Sequence, residues 1–318
     1  MAQPTNTFDT YDSVGIREDL SNVIYNVSPE ETPLLSSIAK VKATNTLHEW
    51  QTDALRAAVA TNAHIEGDDT VAEARASTQR LGNYTQIFKN AVVTSGTDEA
   101  VDSAGRGKEM SYQIVKVGSE QKLDMEMSIF ANVARVAGNS TTARKMGGLG
   151  SFVKTNVTNI GSGGANPSGS VPGATARTDS GTPTVFSQAD FDLAMQSIWA
   201  EGGKPDTVYL SAFQMNKALG FTGNNNQRST GASGKVENLL NVYMTPWGSV
   251  EFVPSRQNRS RDVWIIEKDK LALAALRPMK NQALAKSGDN EKRQVVGECT
   301  LVVRNEKALG LVADCTTS

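Results

Sequence analysis

The chain has 318 residues, and its 34 acidic against 32 basic side chains leave a formal net charge of −2. That balance excludes a strongly basic polyanion binder and an acidic tail protein. With Gly counted and Tyr set aside, the apolar fraction is about 46%, an ordinary globular value, so a sizeable core is possible in two domains or in one with long excursions.

The opening MAQPTNTFDTYD lacks the charged-then-apolar order of a secretory signal. No apolar run approaches the ~18 residues needed to span a bilayer, so a soluble protein with reduced thiols is expected. Ile16, Leu20, Val23, Ile24 and Val27 recur at helical steps and predict an amphipathic helix. In SPEETPLLSSI, Ser28 is placed to cap, Pro29 to take the first helical position and Glu31 to close a capping box. Pro33 limits this to a short turn before Leu34, Leu35 and Ile38. Such an arm owns no core and must lie on its own chain or on a neighbour. Between 45 and 95, two strand-like arms (Thr46 to Thr52 and Tyr84 to Thr94) flank an alanine-rich middle with an acidic tip, Glu66, Asp68, Asp69 and Glu73. They are predicted to pair as a two-stranded excursion. A ribbon of that kind is marginal alone and implies a partner surface.

From Gly105 to Ala137 the pattern predicts one long helix. Its apolar set Met110, Ile114, Val117 is followed by a second, Leu123, Met127, Phe130, rotated by about 120° near Gly118, as if the helix packs on two elements. Residues 138–183, rich in Gly, Ser, Thr and Asn, read as a long loop or an ordered excursion between two structural bodies. A second body starts with a helix capped by Ser187, its inner face made of Phe191, Ala194, Met195, Ile198 and Trp199 and its end at Gly202. The strand KPDTVYLS, the short helix SAFQMNKALG, a polar loop, and the segments SVEFVPS, DVWIIEKD and LALAAL complete a mixed α/β body near Pro278. Residues 281–315 return to β structure and carry Cys299 and Cys315, read as a pair of buried thiols.

Catalytic chemistry is thin. The two histidines, His48 and His64, sit in no zinc-ligand spacing. Gly147, Gly148 and Gly150 lack the order of a phosphate loop and read as a close backbone approach; the acidic tip lacks the alternation of a calcium loop and reads as a solvated tip. Arg256, Arg259 and Arg261 form a basic loop, read as solvated surface with nucleic-acid contact as the alternative. No catalytic, cofactor or metal residue is assigned, and an enzyme working through the acidic tip or the Gly-rich turn is the alternative from another class.

The segments GIREDLSNVIYNVSPEETPLLSSI (15–38), HEWQTDAL (48–55), RLGNYTQIFKNAVVTSGTDEAVDSAGR (80–106) and ARKMGGLGSFVKTN (143–156) resemble the major capsid proteins of tailed bacteriophages with the Hong Kong ninety-seven type fold. The resemblance implies an α+β chain with an N-terminal arm (1–44), an E-loop (45–95), a P-domain with a spine helix (96–185, closed by 279–318) and an A-domain (186–278). It implies pentamers and hexamers tiling an icosahedral head around double-stranded DNA, held without sequence-specific binding and without a membrane. Portal, decoration and scaffolding proteins are the implied partners, the virion the implied location and the bacterial cytoplasm the implied place of assembly. A nanocompartment shell of the same fold is the nearest alternative. Some relatives weld an E-loop lysine to a neighbour's asparagine; no lysine lies between Lys42 and Lys89, so no such cross-link is expected. About 14 residues precede the arm helix, so any scaffold is expected to be a separate protein. The expected intersubunit contacts are Leu20, Ile24, Leu34 and Leu35 of the arm, and Trp50, Arg56, Arg75, Arg80, Tyr84, Ile87 and Phe88 of the E-loop. Packing of the two strands on each other, or plain solvation of the arginines, is the other reading of those E-loop residues.

Overall fold

The computed structural model describes residues 31–69, 72–101, 107–221, 229–230, 236–237 and 242–317. The helix expected over 16–27, with Leu20 and Ile24, lies outside them, as do Ser28 and Pro29. The helices are α1 (Pro33–Ser37), α2 (Gly96–Ala100), α3 (Glu109–Phe130), α4 (Leu149–Phe152), α5 (Gln188–Ala200) and α6 (Ala212–Ala218). The strands are β1 (Ala39–Lys42), β2 (Leu47–Thr52), β3 (Gln79–Tyr84), β4 (Gln86–Ser95), β5 (Val157–Asn159), β6 (Thr207–Leu210), β7 (Ser229–Thr230), β8 (Val236–Glu237), β9 (Val242–Thr245), β10 (Gly248–Pro254), β11 (Asp262–Ile266), β12 (Leu271–Ala283), β13 (Asn290–Val303) and β14 (Gly310–Ala313).

Most strands sort into two sheets. One has the order β1-β12-β13-β4, the other β5-β14-β11-β6-β10-β9. In the first, alternation sends Leu271, Leu273, Cys299, Leu301 and Val303 into a core shared with α1, α3 and α4, where Leu34, Ile129, Phe130 and Phe152 are buried. The opposite face is lined by small residues, Ala272 and Ala274 with Val302, which lets Ala43 and Trp50 approach closely. The second core gathers Phe191, Ile198, Val208, Tyr243, Phe252 and Ile265 beneath α5.

Several expectations change. The short arm helix starts at Pro33, which takes the first turn itself where its missing N–H costs nothing, with Thr32 before it. The partner of β2 is β3, from Leu47 opposite Tyr84 to Thr52 opposite Gln79. The segment expected to return along β2 is β4, which pairs antiparallel with β13 instead. The LALAAL run belongs to β12 of the four-stranded sheet, and the six-stranded sheet recruits β5 and β14 from outside the second body.

The long helix ends at Phe130, giving 22 residues or about 33 Å. Its buried residues include Met110, Val117, Gln121, Met125, Glu126, Ile129 and Phe130, so the buried face continues past Gly118 through polar members and turns gradually, without a break there. Met127, expected inside, is 64% exposed. Beyond the helix, Val136 bridges to Lys145 and the chain returns so that a Cβ on Gly148 would collide with the Ala131 carbonyl oxygen. The Gly cluster is thus a close backbone approach. The Gly-rich stretch folds back on itself through bridges between Ser162 and Thr182 and between Ala165 and Thr178. Ser187 and Asp190 form the capping box of α5, and Gly202 follows it at φ +88°; Trp199, expected on the inner face, is exposed.

Candidate assembly surface

Beyond Thr52 and before Gln79 the described residues form no regular secondary structure. Leu55 is 100% and Ile65 82% exposed there. An exposed ion pair joins Arg56 to Glu73 at 3.1 Å, and Arg80 pairs with Glu49 across the ribbon, while Arg75 is solvent-facing. Glu66, Asp68, Asp69 and Glu73 of the acidic tip are exposed.

The base of the excursion is fixed by buried polar groups. Asn83 accepts from Gly147 N–H at 2.8 Å and donates to the carbonyls of Gly147 and Leu301 at 3.1 and 2.9 Å. Thr85 donates its hydroxyl to Glu298 at 2.7 Å, and Glu298 also receives Arg277 at 2.8 Å and pairs with Arg144. Burial pushes the Glu298 carboxyl up, but the Thr85 and Arg277 bonds and the Arg144 charge outweigh it and hold the group below its ordinary value.

The expected contact residues divide. Leu34, Leu35 and Phe88 are buried in the chain's own core, so their side chains are not surface groups; each lies on an element that the four-stranded sheet or α3 covers. Trp50 is half-buried, with its ring 6.2 Å from that of Phe152. Tyr84 lies under the Arg135 guanidinium, 5.7 Å from the ring centroid. Ile87 remains 49% exposed.

The basic loop is not solvated surface. Arg259 and Arg261 join Arg177 and the aspartates 179, 262 and 314 in one cluster: Arg177 to Asp314 at 2.7 Å, Arg259 to Asp262 at 2.8 Å, Arg261 to Asp314 at 2.8 Å and Arg177 to Asp179 at 2.8 Å. Three charges of each sign cancel, which permits Arg177, Asp262 and Asp314 to be buried. Of its three arginines only Arg256 is exposed. Burial pushes the Asp262 carboxyl up to about 6 against the pull of Arg259 and Arg177. For Asp314, burial is outweighed by the bonds from Arg177 and Ser180, and its carboxyl stays low. The cluster ties the Gly-rich stretch to the six-stranded sheet. Both cysteines are free and buried, the Cys299 thiol pushed up to about 12 by burial.

Sequence reasoning missed Asn83, Glu126, Glu298 and Arg177. The available signal was an isolated polar residue inside an apolar run, as in VVGECTLVV.

Residues 3–316 match the family model described as SU10 major capsid protein. The major capsid protein of Escherichia phage Phieco32 is 29% identical over 350 aligned positions, which cover 98% of this chain and 97% of that protein. Among solved structures, the Cyanophage A-1(L) capsid asymmetric unit matches with a TM-score of 0.65 at 13% identity, covering 98% of this chain and 99% of that one. A chain from Microbacterium phage Oxtober96 matches with a TM-score of 0.61 at 12% identity, covering 94% and 95%. Phage G gp27 major capsid proteins, solved with gp26 decoration proteins, match at 0.53 and 12%, covering 99% and 100%. At these identities the solved structures speak to the fold, which is the Hong Kong ninety-seven type.

Proposed function

The chain belongs to the SU10 major capsid protein family, and from that premise we propose that this phage major capsid protein closes into pentamers and hexamers of an icosahedral head around double-stranded DNA. The excursion carries the finer reading: residues 53–78 hold Leu55 and Ile65 in water in the lone subunit, where burying each against a neighbour would contribute roughly 1.5–3 kcal/mol. Its contact set is Leu55, Ile65, Ile87 and Tyr84, with Arg56, Arg75 and Arg80 at the rim and Trp50 at the base. Leu20 and Ile24 are assigned to the arm's contact with adjacent subunits.

The work of such a subunit is geometric and requires no catalytic group. The arm, E-loop, P-domain and A-domain keep the divisions drawn above, with β12 moved to the P-domain because it pairs with β1 and β13. Assembly takes place in the host cytoplasm, with a separate scaffold and a portal. A decoration protein is a further partner, by analogy with the phage G particle, whose capsid protein was solved with one.

Deleting residues 57–78 tests this. The β2–β3 ribbon is retained, so the subunit should stay folded by circular dichroism while negative-stain microscopy finds no shells. Shells from the deleted chain, or loss of the whole fold, would overturn the role given to the excursion.

A further inference from the structure

Glu126 lies on α3 with no exposed surface, and among the described residues every bond it accepts comes from a neutral donor. One carboxyl oxygen accepts from the Leu35 backbone N–H at 3.2 Å and the other from the Ser255 hydroxyl at 3.1 Å, and the Leu34 backbone N–H also acts on the carboxyl. No lysine, arginine or histidine pairs with it among the described residues. Its partners come from two places, the arm helix α1 and the segment leaving β10. On its other side α1 borders an open cleft of about 380 Å³, lined by Glu31, Thr32, Pro33, Ser36, Val253 and Pro254. The core side of the arm helix is therefore tied to Glu126, while Pro33 and Ser36 border the cleft.

The neighbouring titratable groups leave Glu126 without a counter-charge. Tyr209 of β6 shares a 2.9 Å hydrogen bond with the Ser37 hydroxyl, its phenol pushed up to about 12 by burial. Cys299 of β13 has its thiol pushed up to about 12 and stays neutral. Asp206 before β6, Glu251 of β10, Arg256 beyond Ser255, and Lys122 and Asp124 on α3 are exposed to water, as is Glu31 at the cleft.

We propose that Glu126 is a proton-gated latch on the arm helix, holding α1 against α3 and the end of β10 when protonated and slackening that hold when ionised. A neutral carboxyl is tolerated in such a site, whereas a carboxylate with only dipoles around it gains by regaining water. The cleft beside α1 supplies the direction in which the helix gives way. Burial raises the docked-state value above the ordinary 4.5, with the Leu35 and Ser255 bonds opposing. The contribution to docking is thus complete below 4.5 and is lost as pH rises through the raised value.

Hydrogen exchange on the full-length protein, followed in a peptide covering residues 32–38 and corrected for intrinsic rates, reads the latch. Protection of α1 in the native sequence should fall as pH rises above 4.5, by at most about tenfold per pH unit, and then level off. Glu126→Gln retains the shape and one acceptor oxygen but cannot ionise, so its α1 protection should lack that fall, while a peptide over β11 should behave alike in the two proteins. Ser255→Ala removes a donor to the carboxylate and should carry the fall to higher pH. Parallel profiles for the native protein and Glu126→Gln, protection that rises with pH, or an unmoved step in Ser255→Ala would each overturn the latch.

Discussion

Asp262 and Asp314 sit in one cluster, yet burial and charge move them in opposite directions. The Asp262 value, raised from 3.8 to about 6, means that its contribution to stability is complete below 3.8 and is lost as pH rises through 6. Asp314 and Glu298, held low, contribute above their ordinary values and lose that contribution as pH falls through the depressed ones. Asp262→Asn should remove a downward component on the order of 3 kcal/mol between those limits. Urea unfolding at pH 4 and pH 7 checks it, since an unchanged difference between the two would show that Asp262 does not titrate there. Single residues with local partners were legible in the sequence: the Ser187 cap, the close approach at Gly148 and the buried thiols. Asn83, Glu126 and Glu298 were not, because their partners lie 21 to 218 residues away and no local pattern announces them.

For α3 the existence of the helix was legible, but its face was misread because an apolar-only count stops at Gln121. That side chain is fully buried and donates to the Val295 carbonyl at 3.4 Å, so the buried face passes through it without a break. Ile129→Ala should cost about 2–5 kcal/mol, with Met127→Ala within about 0.5 kcal/mol, both read by chemical denaturation. Equal losses at the two positions would restore the rotated stripe. Strand pairing was less legible than helix position. The run from Gln86 to Ser95 has the same β-forming composition whether it lines a ribbon or a sheet, and its pairing with β13 spans about two hundred residues of chain.

Across the whole molecule, the near-zero net charge allows many copies to approach closely, and the apolar fraction that looked ordinary includes residues the lone chain leaves in water. Changing Leu55 and Ile65 together to Ser should leave the melting temperature of the subunit within about a degree, since surface changes rarely exceed ~0.5 kcal/mol, while shells fail to form in microscopy. Normal shells from that variant would remove both residues from the contact set. The division into arm, excursion, helix and second body was legible because composition changes along the chain; the way the two sheets share strands was not, since it depends on where distant segments meet. The six-stranded sheet shows what that sharing entails: β14 lies between β5 and β11 and pairs with both. Until residues 310–313 leave the ribosome, some 150 residues and on the order of ten seconds after β5, the sheet is two separate pieces. A prematurely terminated chain would lack the strand that joins them, and β5 would be left without the partner that ties it to β11.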